Sequence, residues 1–242
     1  MEIAKNRVNP KQPPESGSSA PAAGRRYGGV DRDERQRQRR ERLVAAALAV
    51  FGEQGFHAST VRDVCRRAEL TSRYFYESFD SMEDLFEAVY VSVSRELMHK
   101  VMEALQRASM EPEKLAEAAL RQFLEFIQED PRRAQVTLID SLNAGHGMHR
   151  ISQESNRDFA AVIGNLIQMF FPHLNEMGLD ATMIANGLVG SNVRIATQWV
   201  EDQCSTPLED VLRNMLAFFV ATIQYGRSIH AHVGAPGSDT TP

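Results

Sequence analysis

Between Ser59 and Phe79 the chain reads STVRDVCRRAELTSRYFYESF, a stretch crowded with hydroxyls, guanidinium groups and phenols. Thr60 and Asp63 have the spacing of a capping box, in which hydroxyl and carboxylate satisfy the first free N–H groups of a helix. Val61, Val64, Cys65 and Ala68 stand at i, i+3, i+4 and i+7, so one narrow face packs inward. Its small residues let a second helix cross closely, and Glu69, Leu70 and Thr71 form a connection of helix-turn-helix length. Leu70, Phe75 and Phe79 can face the core, which leaves Ser72, Arg73, Tyr74, Tyr76 and Glu77 outward on that second helix. Aromatics are costly to present on two turns of helix unless they touch something. An Arg can donate two bonds to guanine O6 and N7, and hydroxyls serve base or phosphate. The second helix therefore reads as one that recognises DNA.

The rest of the chain must position these groups. The net charge of −5 is unevenly spread: residues 1–79 carry 15 Lys/Arg against 10 Asp/Glu, and residues 80–242 carry 12 against 22. A basic front suits a polyanion, whose condensed counterions are released on binding. Residues 1–30, rich in Pro, Ser, Gly and Ala, read as a flexible arm. Beyond Asp31 nearly every segment has a period near 3.6 and none alternates like a strand, so the fold class is all-α. The expected helices are 31–54, 60–68, 71–78, 81–107, 112–129, 131–142, 149–171, 180–201 and 207–228, with a loop at Gly145–Gly147. This gives a three-helix domain over 31–80, a domain of about six helices over 81–230, and a flexible tail at 231–242.

No uncharged stretch is long enough to cross a bilayer, and no apolar run follows Met1, so no membrane partner and a cytoplasmic location are expected. Cys65 and Cys204 form neither a disulfide framework nor a zinc motif, and Cys65 reads as a small core residue. No HExxH, GxSxG or phosphate-binding loop occurs, so an enzyme is not expected, nor a metal or cofactor.

The segment RLVAAALAVFGEQGFHASTVRDVCRRAELTSRYFYESFDSMEDL, Arg42 to Leu85, resembles the N-terminal domain of the TetR/AcrR family of bacterial transcriptional regulators. Its hallmarks are the Phe51 to Gly55-Phe56 turn, Thr60-Val61-Arg62-Asp63-Val64, Phe75-Tyr76 to Phe79, and Ser81 with Glu83-Asp84 before Leu85. The resemblance implies phosphate contacts at Thr60 and Tyr76, and base or phosphate contacts at Arg62, Thr71, Ser72, Arg73 and Tyr74. Three places depart from the pattern. Glu69 replaces the usual turn Gly, Glu77 and Ser78 stand where aromatics or His are frequent, and Met82 occupies a place often held by Lys. The arginines between Arg32 and Arg42 are candidates to replace the lost phosphate contact.

The resemblance also implies a ligand-binding and dimerisation domain. Leu188, Ser191, Ile195 and Trp199 on one helix and Met215, Phe218, Phe219 and Thr222 on the next are the candidate interface, because Met215–Val220 is apolar all round. Phe123, Phe126, Phe159 and Ile163 are candidates to line an apolar pocket, with His149, Asn156 or Asn192 as polar anchors. The expected partners are a double-stranded DNA operator of partly palindromic sequence, a second copy of the chain and an unidentified small-molecule effector that releases a repressor. The Glu69, Glu77 and Met82 departures leave open an interaction module without specific DNA binding.

Overall fold

The computed structural model describes residues 27–141 and 146–233, with side chains over 31–141 and 150–228. The helices are α1 Tyr27–Gln54, α2 Val61–Ala68, α3 Ser72–Tyr76, α4 Met82–Arg107, α5 Pro112–Glu129 and α6 Pro131–Ala134. The last of these runs straight into a π-helical segment, Gln135–Asp140. They are followed by α7 His146–Phe170, a 3-10 turn Leu174–Met177, α8 Ala181–Glu201 and α9 Leu208–Val233. The all-helical expectation holds, and the signals that set the ends are local. Pro opens α5 and α6, where its missing N–H costs nothing. Ser81 caps α4 through Asp84 N at 3.1 Å, and Asp180 caps α8 through Thr182 N and Met183 N.

Several boundaries differ from those expected, α3 among them, which ends at Tyr76 rather than Ser78. Helix α1 begins at Tyr27, inside the stretch assigned to the arm, since each residue added to a nucleated helix gains one backbone bond. Up to Arg37 it forms a unit by itself, supported by the Asp31–Arg35 and Glu34–Arg37 pairs. Gly147 lies within α7, not in a loop, because a glycine is cheap in a first turn whose N–H groups have no helical partner. Helix α9 reaches Val233 rather than ending at Ser228, the tail beginning later than composition suggested. The remaining arm and tail calls fall outside the described residues.

Two cores organise residues 38 onward. The first joins Leu43, Ala47 and Phe51 of α1 to Val64, Cys65 and Ala68 of α2, Phe75 of α3 and Phe79. It continues into α4 through Leu85, Phe86, Val89 and Val93, so the expected boundary at 80/81 cuts the chain but not the packing. Phe51, Phe56 and Phe86 stack on one another at centroid distances of 5.5, 5.5 and 4.6 Å. The second core gathers Leu120 and Leu124 of α5, Ala160 and Ile167 of α7, Ala185, Ala196 and Trp199 of α8, and Met215 and Phe219 of α9. Arg121–Glu209 and Arg227–Glu113 tie α5 to α9 at the surface.

Helix α1 meets α6 closely at Gly52, where an added Cβ would lie 2.2 Å from Arg132 Cβ and 2.7 Å from its Cα. Gly52→Ala gains about 1 kcal/mol of helix propensity but overpacks this contact at a cost of about 1–3 kcal/mol. The expected result is a lower urea midpoint; a raised one would show that the two helices have room to part.

Candidate functional site

The capping box at the start of α2 is complete. Thr60 Oγ1 accepts from Asp63 N at 3.3 Å and donates to Asp63 Oδ2 at 2.6 Å, while Thr60 N donates to the same carboxylate oxygen at 3.2 Å. The Thr60 hydroxyl holds the Asp63 carboxyl below its usual range. Helix α2 ends at Glu69, whose φ of 54° is left-handed, with Leu70 N donating to Cys65 O at 3.0 Å. A residue with a Cβ costs about 1 kcal/mol more than Gly in that conformation. Arg42 compensates: its Nη2 donates to Ala68 O at 2.6 Å and lies 3.9 Å from Glu69 Oε2. The turn therefore holds a left-handed residue without a glycine.

Phe75 is fully buried and Phe79 nearly so, as their spacing requires, while Leu70 is half-buried. Thr60, Arg62, Thr71, Ser72, Arg73 and Tyr76 are all exposed, Tyr76 at 62%. These six share the outer side of the helix-turn-helix. Tyr74 is half-buried, its ring covered by the Arg39 guanidinium 4.1 Å from the centroid. Cys65 sits in the packed interface, where burial pushes its thiol pKa up. The arginines of α1 after Arg37 are occupied by packing. Arg40 lies 4.7 Å from the Phe79 ring and Arg42 caps α2. Arg73 Nε pairs with Glu77 Oε1 at 2.9 Å across one helical turn, and Arg39 stands 3.9 Å from Glu77 Oε2. Glu77 thus holds an anionic oxygen where a phosphate would compete for Arg73. Met82 is half-buried against the first core, which explains an apolar residue there.

The second domain encloses an apolar cavity of about 190 Å³. Of the expected lining, Phe123, Phe126, Asn156, Phe159, Ile163 and Asn192 all border it; His149 lies on α7 with its side chain outside the described residues. Spacing missed Arg133, Thr137 and Ser141 of α6 and its π-helical extension, together with Ser94 of α4 and Ser152 and Ser155 of α7. Ser152, Asn156, Phe159 and Ile163 do follow helical spacing, a mixed polar and apolar stripe that marks a cavity wall rather than a dry core. Arg133 is held by Glu96 at 2.9 Å and Phe126 O at 3.1 Å and stacks 4.0 Å from the Phe126 ring. Its Nε and the Oδ1 of Asn192 are buried with no hydrogen-bond partner among the described residues. A buried polar atom left so costs about 1–3 kcal/mol.

The expected interface residues separate into two groups. Leu188, Trp199, Met215 and Phe219 are buried in the chain's own core, and Leu188, Phe219 and Thr222 border the cavity. The all-round apolar run from Met215 is thus split, one side filling the core and Phe218 remaining 49% exposed. Ser191 and Ile195 are half-buried, and Trp199 Nε1 donates to Thr206 O at 2.8 Å. Exposed neighbours that the core stripe concealed are Met183 on α8 and Tyr225 on α9, at 73% and 59%.

A helix-turn-helix with polar residues on its outer side, joined to a helical domain around an apolar cavity, defines a DNA-binding regulator. Residues 43–89 match the family described as bacterial regulatory proteins, tetR family, and carry the helix-turn-helix described above. The chain is 27% identical over 190 residues to the HTH-type transcriptional activator FasR of Mycolicibacterium smegmatis, covering 77% of this chain and 82% of that protein. In fold it is similar to the fatty acid degradation regulator FadR of Bacillus halodurans, with TM-score 0.64, 16% identity, and 74% of this chain and 93% of that one covered. FadR of Bacillus subtilis in complex with stearoyl-CoA gives TM-score 0.65, 16% identity, and coverage of 74% and 97%. Among the described residues no helix is long and apolar enough to cross a membrane.

Replacing Glu77 by Gln removes the competing anion. Glu77→Gln is expected to tighten DNA binding by about 1 kcal/mol at low salt, whereas Arg73→Ala weakens specific binding by about 1–3 kcal/mol. Anisotropy titrations at several salt concentrations measure both, and an unchanged affinity in the Gln variant would remove Glu77 from the contact.

Proposed function

We propose that the chain is a homodimeric repressor that leaves a partly palindromic operator when a long-chain acyl ligand, of the acyl-CoA class, fills the cavity of its second domain. One observation carries this: the cavity walls are mostly apolar, with a few polar side chains among them, Asn156, Thr137 and Ser152. An acyl chain suits the apolar walls, and its polar end suits the side chains of Asn156, Thr137 and Ser152. Stearoyl-CoA bound to FadR of Bacillus subtilis supports the ligand class. The FasR relative is an activator, which favours a second reading in which the same DNA binding raises transcription. The position of the operator relative to the promoter sets that sign. Thr60, Arg62, Thr71, Ser72, Arg73, Tyr74 and Tyr76 are the proposed contacts to DNA, and α4, which packs in the first core and lines the cavity, is the proposed connector.

Coupling between two sites is reciprocal: a ligand that weakens operator binding is weakened by operator to the same factor. Calorimetric titration of stearoyl-CoA into free and DNA-bound protein is expected to show weaker binding in the second case. Equal affinities would remove the coupling.

For the dimer, the proposed surface is the outward side of α8 and α9, with Phe218, Ser191 and Ile195 retained from the sequence. Met183, Gly187, Gly190 and Tyr225 join them. A Cβ at Gly187 or Gly190 would meet nothing within 4 Å, so a partner helix can come close. Two such helices from each copy make a four-helix contact and place the recognition helices about one DNA turn apart or somewhat more. Phe218→Glu and Tyr225→Glu are expected to give monomers in sedimentation equilibrium with helical content unchanged. A monomeric wild type would refute the dimer.

A further inference from the structure

The geometry points to Asp140 as the residue that passes the state of the cavity to the DNA-reading domain, by a latch to the turn after α1. This rests on the effector-coupled function proposed for the chain and supplies a second route beside α4. Asp140 closes the π-helical segment and is only 7% exposed. Its Oδ2 accepts from Phe56 N at 2.9 Å, across 84 residues of sequence, and its Oδ1 accepts from Gln135 Nε2 at 2.8 Å. The same segment presents Thr137 and Leu138, followed by Ser141, to the cavity. One short piece of helix therefore touches the cavity with one side and holds the first domain with the other.

What it holds is the entry to α2. Gly55, at φ 81°, lets the chain turn beside Asp140, and Phe56 then stacks on Phe51 and Phe86. Ser59 Oγ donates to Gly55 O at 2.7 Å, and Gln54 Nε2 donates to Ala58 O at 3.3 Å, so the turn moves as one piece with Thr60, the cap of α2. The Gly52–Arg132 contact fixes the start of α6 against α1, so a change in the segment is not absorbed by sliding at that end.

A π-turn holds one residue more than an α-turn, and such turns recur at functional sites. When a guest presses on Thr137 and Leu138, the segment can return to α-helical register. Successive residues of an α-helix lie about 100° apart, so a one-residue shift swings the Asp140 carboxylate away from Phe56. The entry to α2 is then released.

The test is a double-mutant cycle on the full chain. A duplex selected by the protein from a random pool serves as DNA, affinity is read by anisotropy, and exchange of the Phe56 amide is read by NMR. Thr137→Trp, which drives an indole into the cavity, is expected to weaken duplex binding at least fivefold and to speed Phe56 exchange at least tenfold. In an Asp140→Ala background the same substitution is expected to change duplex binding less than twofold. Asp140→Asn keeps an acceptor for Phe56 and restores the response. Equal effects of Thr137→Trp in the wild-type and Asp140→Ala backgrounds overturn the latch. If Asp140→Ala does not fold, Phe56 exchange in Thr137→Trp alone decides, and an unchanged rate overturns the proposal. Stearoyl-CoA is a separate arm: failure to alter duplex binding by the wild type refutes the acyl ligand, while the cycle still judges the latch.

Discussion

A helix of five residues cannot hold itself together in water, because the cost of its first turn is not recovered by the few bonds that follow. Helix α3 exists because Phe75 and Phe79 are buried beneath it, and they are buried because α1 and α4 close over them. Everything else in the first domain follows from this dependence. The small face of α2 sets how near α3 can come, the left-handed Glu69 sets its direction, and Arg42 makes that direction tolerable. The exposed hydroxyls and Arg73 are thereby presented on a platform whose rigidity is borrowed from its neighbours.

Much of this was legible in the residues. The capping box, the inward Val64, Cys65 and Ala68, and the buried Phe75 follow from period and cap chemistry alone, which act within a few residues of chain. The cavity was legible in part, since Phe159 and Ile163 carry the same helical spacing whether a cavity or a dry core lies beneath them. The interface was the least legible. Met215, Phe218 and Phe219 are alike as apolar residues, and only the direction in which the helix turns separates the two that fill the core from the one that stays outside. The π-helical segment had no signature, because a single extra residue in one turn shifts the register of every residue after it while leaving the composition of the segment unchanged.

The charges teach a related lesson. The excess of basic residues in the front of the chain was the first sign of a polyanion, yet several of them are occupied within the fold. Arg39 covers Tyr74, Arg40 lies over Phe79, and Arg42 caps α2. Their charge still contributes to the local potential, which falls off over roughly 8–10 Å at ordinary salt. The count of arginines is therefore a guide to attraction at a distance and overstates the number of phosphates gripped on contact.

That α4 packs in the first core and also walls the cavity has a thermodynamic meaning. Leu85, Phe86 and Val89 complete the first core, while Ser94, Leu97 and Val101 further along the same helix line the cavity of the second domain. A fragment ending at Asp80 would lose the residues that cover Phe51 and Phe79, so the DNA reader is not a module that can be excised or grafted. Heat or denaturant that loosens α4 then disturbs the first core and the cavity wall together.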